Sequence, residues 1–172
     1  MGYPGALSTL STGYQQGQAS PSRGNRATMS NSIFVQGIDK EVLPVCATYG
    51  TGLIPWSPLN RGWLAGKYRK GQDLDPQSRV ARGDQFTDRP DSPSEQKKLE
   101  LVEQLIPMAE EAGTTLSHYA LARTVTSPTV TAPIIGPRTT KHLEDNLQAL
   151  DVHVLPGHLR RIDDLVPPGT DV

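Results

Sequence analysis

The hydrophobic and polar positions along this chain fall into two regimes. Residues 1–30 are rich in Gly, Ser, Gln and Thr and follow neither a helical nor a strand period. Such a segment buries too little apolar area to offset its ordering entropy, so the pattern predicts a disordered leader. From residue 31 the punctuation becomes regular. Ile33-Phe34-Val35 is a short apolar run, and Asp39 is the expected cap of a helix reaching about residue 49. Val42, Leu43 and Cys46 form its inward stripe, and Gly50 closes it. Leu53-Ile54-Pro55-Trp56 is a continuous apolar run ending in the polar turn Ser57-Pro58-Leu59-Asn60, which reads as a buried parallel strand.

Residues 69–91 are charged and polar and form a long loop, a feature usually functional or mobile in a compact domain. Ser92, Pro93 and Glu95 are helix-start chemistry. Leu99, Val102, Leu105, Ile106 and Ala109 make the apolar face of that helix, Pro107 kinks it, and Gly113 ends it. Thr114 or Thr115 starts a second helix reaching about residue 126. Residues 129–135 are β-branched and apolar and predict a second buried strand, ended by Gly136. A helix over about 140–150 turns Leu143, Leu147 and Leu150 inward. A last amphipathic piece over 157–166 carries Leu159, Ile162 and Leu165. Helices alternate with buried strands, an order that implies an α/β protein with a parallel sheet. Ligands in such folds sit beyond the carboxyl ends of the strands, here after Trp56 and after Ile135.

Composition then excludes several classes. Lys and Arg number 17 against 18 Asp and Glu, so no field attracts nucleic acid or an anionic membrane. No apolar run approaches the roughly 18–20 residues of a membrane span, and no basic start leads into an apolar stretch. A soluble, cytoplasmic protein is expected. Cys46 is the single cysteine, which excludes internal disulfides, and its apolar neighbours mark it as a core residue. His118, His142, His153 and His158 lack metal-ligand spacing and read as ordinary surface histidines. Gly50-x-Gly52 lacks the third glycine of a dinucleotide fingerprint, and no Gly-x-Ser-x-Gly elbow is present.

Two motifs carry chemistry. Ser57-Pro58-Leu59-Asn60-Arg61-Gly62 runs on through Gly66-Lys67-Tyr68, giving free backbone N–H groups, a hydroxyl and two cations after a strand. That suits a phosphate-bearing ligand, although by itself the motif reads more readily as a plain polar turn; the spacing rules out a Walker loop. In the second, Ile134-Ile135-Gly136-Pro137-Arg138-Thr139-Thr140 stands before a helix bearing His142, Asp145 and Asn146. Orphan N–H groups, the positive end of the helix dipole and a guanidinium that can fork onto phosphate make an anion site, or an ordinary cap with solvated charges.

Together these motifs resemble the aldo-keto reductases, a similarity covering about 33–169 that includes Val42-Leu43-Pro44, Ala120-Leu121-Ala122 and Ile162-Asp163. The resemblance implies the last two to three βα units of a (β/α)8 TIM barrel plus a C-terminal helix, within a domain spanning 31–172. It implies NADP(H) as cofactor. Residues matching Ser57, Pro58, Leu59 and Arg61 line the pyrophosphate, and those matching Gly136, Arg138, Thr139 and His142 surround the adenosine 2′-phosphate. Those matching Asp145 and Asn146 touch the adenine. Arg138 is then the determinant of NADPH over NADH. The family's chemistry is carbonyl reduction by hydride transfer, with a Tyr as general acid tuned by Lys, Asp and His. All four lie upstream of the matched region, and none of the five tyrosines occupies that place. Asn31 stands where the family stacks a Tyr on the nicotinamide, and Arg123 replaces an apolar or Trp residue, which implies relaxed packing.

A barrel takes about 250 residues, so this chain holds about three of its eight units, with open strand edges that favour self-association. Three functions follow: a truncated, mis-started product inactive alone, which the leader favours; one half of a split reductase whose partner chain supplies the N-terminal half-barrel; or a non-catalytic NADPH-binding module. The 69–91 loop is expected either to be solvated or to close over bound NADPH.

Overall fold

A computed structural model describes residues 26–73, 75, 76, 78, 80–82 and 92–172. Three segments run parallel. β1 (Arg26–Ala27) pairs with β2 (Gly52–Leu53) in the register Arg26↔Gly52 and Ala27↔Leu53, and the pairing continues as a bridge between Ser30 and Trp56. On its other side the middle segment bridges Val130 and Ile134. The expected parallel order therefore holds, but one boundary changes. Pairing reaches upstream to Arg26, inside the segment assigned to the leader, while residues 1–25 lie outside the described residues.

The 129–135 strand, expected to be buried, buries none of its residues. It is an edge segment. It also carries a bulge, because three residues lie between Val130 and Ile134 while two lie between Leu53 and Trp56. Proline explains the offset. Thr131 donates to the Leu53 carbonyl at 2.7 Å, and the next donor in the ladder would be Pro133, which has no N–H. Ile134 donates to the Pro55 carbonyl instead, also at 2.7 Å.

The helices pack beside this sheet and against one another. α1 (Val42–Thr48) buries Cys46, half-buries Val42 and Leu43, and ends at Gly50 with φ of 63°. It starts later than expected, after Glu41, because Asp39 is drawn away into a buried network. α2 (Pro93–Glu111) begins where Ser92 Oγ accepts from Glu95 N at 3.3 Å, and it runs on through Pro107. Gly113, at φ 70°, closes it. α3 (Leu116–Thr126) is capped by Thr115, whose Oγ1 accepts from His118 N.

α3 is the centre of the core. Tyr119 and Ala120 meet Val102, Leu105 and Met108 of α2, Trp63 and Leu64 of the 3-10 turn Asn60–Ala65, and Ile33 and Phe34. α5 (Pro156–Leu165) adds Ile162, and the chain end returns as Val172 N donates to Phe34 O at 2.9 Å. No helix among the described residues is long and apolar enough to cross a membrane.

α4 (Thr140–Leu147) passes into a 3-10 turn, Gln148–Asp151, and is oriented differently from expectation. Leu143, Leu147 and Leu150 are 39%, 50% and 67% exposed, and α4 itself buries nothing. Their period marked an apolar stripe correctly, but that stripe faces outward.

Candidate functional site

Three strand ends lie in one row. The bridges Ser30–Trp56 and Trp56–Ile134 are the last across the sheet, so Asn31, Ser57 and the turn at Gly136 emerge side by side, at strand spacings of about 4.8 Å. Both motifs singled out in the sequence thus open at the same end of the sheet, the end where α/β folds bind ligands.

The first motif is conformationally strained. Ser57, Asn60 and Arg61 have φ values of 60°, 44° and 57°, left-handed conformations uncommon outside glycine, and Gly62 follows at 101°. The turn closes through Asn60 N to Ser57 O at 2.9 Å and Gly62 N to Leu59 O at 3.0 Å. Such strain persists only where the surroundings impose it, and it concentrates at functional sites. Pro58 is buried, Leu59 packs on the core, and Arg61 is exposed. At the turn, Trp63 and Tyr68 pack with ring centroids 4.7 Å apart, tilted at 51°, and Lys98 Nζ stands 5.9 Å from the Trp63 ring centroid. Lys98, which the sequence had not marked, is buried, and so is Glu95, which it had marked only as helix-start chemistry. Their signal was available: 95, 98, 102, 105 and 109 lie on the apolar stripe of α2.

The second motif presents Gly136, Arg138 and Thr139 to solvent. Thr139 caps α4, its Oγ1 accepting from His142 N at 3.2 Å, so those two residues are tied together. His142 is exposed and Asn146 half-buried. Asp145 has a side chain 56% exposed, with Oδ1 3.2 Å from Nε2 of His118.

Two expectations are corrected here, on the histidines and on Arg123, and Asn31 is placed. His118 and His158 are not surface histidines; each is 6% exposed, and His158 Nε2 meets Glu111 Oε2 at 3.1 Å. Arg123 does not mark loose packing: it is buried, donates to Asp39 Oδ2 at 2.7 Å and also bonds Gln36 Oε1. Asn31 is turned inward. Its Nδ2 donates to Asp39 Oδ1 at 2.7 Å, which leaves Trp56, 44% exposed, as the aromatic of that row.

Tyr49 is exposed at the end of α1, Tyr68 is packed on Trp63, and Tyr119 is buried, its phenol pushed up to about 12 by desolvation. None of these three stands in the row of strand ends. Arg69 makes a two-pronged contact with Glu103, at 2.7 and 2.9 Å, which anchors the start of the charged loop to α2 and holds the Glu103 carboxyl below its usual range. Residues 83–91 of that loop lie outside the described residues. Among the described residues no three His, Cys, Asp or Glu side chains form a metal-binding group. Two shallow hollows of ≈ 480 and ≈ 450 Å³ lie between helices, away from the strand ends.

A sequence model of the aldo/keto reductase family matches residues 28–166. The oxidoreductase YrpG of Bacillus subtilis is 34% identical over 139 residues, covering 80% of this chain and 39% of that protein. A probable voltage-gated potassium channel subunit beta of Oryza sativa subsp. japonica is 36% identical over 115 residues, 67% of this chain and 34% of that one. Norsolorinic acid reductase of Aspergillus flavus is 30% identical over 136 residues, 79% of this chain and 31% of that protein. These matches span between three-tenths and two-fifths of the relatives' lengths. Among solved structures, a glycerol dehydrogenase of Gluconobacter oxydans superposes with a TM-score of 0.66 at 19% identity, covering 85% of this chain and 44% of that one. That likeness speaks to the fold.

Proposed function

The chain belongs to the aldo/keto reductase family, and from that premise we propose that it is the cofactor-holding part of an NADP(H)-dependent carbonyl oxidoreductase. One observation carries the reading. The strained Ser57–Gly62 turn and the Arg138–Thr139 helix start emerge from adjacent parallel strands locked by the Trp56–Ile134 bridge. The pair suits a ligand with two separated phosphate groups. Ser57, Pro58, Leu59 and Arg61 would line the pyrophosphate. Gly136, Arg138, Thr139 and His142 would surround the 2′-phosphate, with Asp145 and Asn146 at the adenine. When bound, NADPH would supply a hydride to a carbonyl carbon. The residues here would orient it and neutralise its phosphates.

The general acid is proposed to come from outside the described residues. Trp56, Ile134, Leu143, Leu147 and Leu150 are all exposed, and among the described residues the sheet ends in open edges. Exposed apolar positions and unpaired edges favour a second set of βα units docking there, the split-reductase reading, over a module working alone.

Titration of the purified chain with NADPH, following Trp fluorescence with NADH as control, tests the reading. The expected result is saturable quenching that prefers NADPH, with the preference lost by about tenfold or more in Arg138→Ala. A flat titration on folded protein would sink it.

A further inference from the structure

α4 meets the rest of the protein through its polar side. It buries none of its own residues, and Leu143 and Leu147 face outward. An eight-residue helix is marginal in water unless something docks it. The contact that reaches into the body is Asp145 Oδ1, 3.2 Å from Nε2 of His118. His118 lies on α3, and its side chain is 8% exposed. Its Nε2 is fully buried without a hydrogen bond of good geometry, so the Asp145 carboxylate compensates it electrostatically. Thr114 Oγ1 lies 3.5 Å from Nδ1, and the His118 backbone N–H is fixed by Thr115 Oγ1 at 3.3 Å. Nε2 is thus the ring nitrogen that faces Asp145, and Nδ1 the one that faces Thr114.

We propose that His118 is a positioning residue that holds Asp145, and with it α4, against α3, presetting residues 138–146 for the adenosine end of the ligand. The inference rests on the cofactor reading above. A carboxylate has two oxygens, and one facing His118 leaves the other to accept from an adenine amino group. A helix already docked loses less freedom when the ligand arrives.

Two measurements on the whole chain test this. Amide hydrogen exchange across 140–147 without ligand reads the tether. Titration with 2′,5′-ADP, which carries the adenosine and the 2′-phosphate but no nicotinamide, reads its consequence. His118→Ala should speed exchange in α4 by about tenfold and weaken 2′,5′-ADP and NADPH by the same factor. His118→Gln, whose amide can donate to Asp145, should recover most of both. Asp145→Ala, at a half-exposed position that leaves the core intact, should reproduce the exchange effect. Unchanged α4 exchange in either alanine variant overturns the inference, whatever the nucleotide does. A wild-type chain that binds neither nucleotide refutes the cofactor reading instead, and the exchange result still decides the tether.

Discussion

The guanidinium of Arg123 sits 2.7 Å from the carboxylate of Asp39, and both side chains are about nine-tenths buried. Asn31 Nδ2 completes the carboxylate, Gln36 Oε1 takes a further Arg123 donor, and Gln36 Nε2 reaches the Val166 carbonyl at 2.6 Å. The network joins the segment after β1, α3 and the residues following α5. Removing one partner of a buried ion pair strands the other charge, at a cost of about 3–5 kcal/mol. Arg123→Met should therefore lower the unfolding free energy measured in urea by that amount. Adding Asp39→Asn should recover much of the loss, since a neutral amide at that position needs no cation. A single-variant loss below about 1 kcal/mol would show that the pair is solvated.

Asp163 adjoins this network, and burial raises its carboxyl above the usual range, with Arg123 opposing and Asp39 reinforcing the shift. A carboxyl whose folded pKa is raised favours the fold below its unfolded value, near 3.9, and loses that contribution as pH climbs through the folded value. Asp163→Asn should therefore raise Tm at pH 7. The gain should shrink on acidification and vanish near pH 3.5. A gain that grows toward acid would reverse the assignment.

How far the sequence could be read depended on how local each signal was. Ser92, Thr115 and Gly113 act on groups three residues away or fewer, so the starts of α2 and α3 were legible. The two turns at the strand ends were legible because glycine, proline and a terminating apolar run mark a strand end in any context. Arg123 was not, because its partners lie 84 and 87 residues away and a lone arginine in a helix carries no sign of them. The orientation of α4 was not either: leucine spacing reveals that a stripe exists, not which surface covers it. The polar segment Arg26–Ala27 shows no strand period, because its backbone pairing with Gly52–Leu53 makes the strand.

Gly52 sits in the middle strand where a Cβ would run into Thr131 Oγ1 on the bulged edge. Its φ is not left-handed, so the constraint is space rather than backbone conformation. Gly52→Ala should cost about 1–3 kcal/mol as an overpacked contact. In a Thr131→Ala background the next atom, the residue 131 Cβ, stands at 3.6 Å, an ordinary contact, and most of the cost should disappear. A double-mutant cycle in urea measures this, and additive losses would place the strain elsewhere.

The leucine stripe of α4 separates folding from assembly. Leu147 and Leu150 are 50% and 67% exposed, so Leu147→Glu and Leu150→Glu remove little apolar burial from this chain. Surface substitutions of this kind shift stability by about 0.5 kcal/mol or less. NADPH binding should also persist, since neither residue belongs to the proposed cofactor contacts. If the stripe receives further βα units, the same substitutions place charges in an apolar seam and must weaken docking strongly. The decisive experiment adds the N-terminal half-barrel of a full-length relative as a separate chain and measures carbonyl reduction. Activity regained with the unsubstituted chain and lost by about tenfold or more with Leu147→Glu, at unchanged Tm, assigns the stripe to that seam. Equal activity from both chains would leave the stripe as exposed surface and put the docking elsewhere, whereas no activity from either would return the choice to an NADPH-binding module working alone.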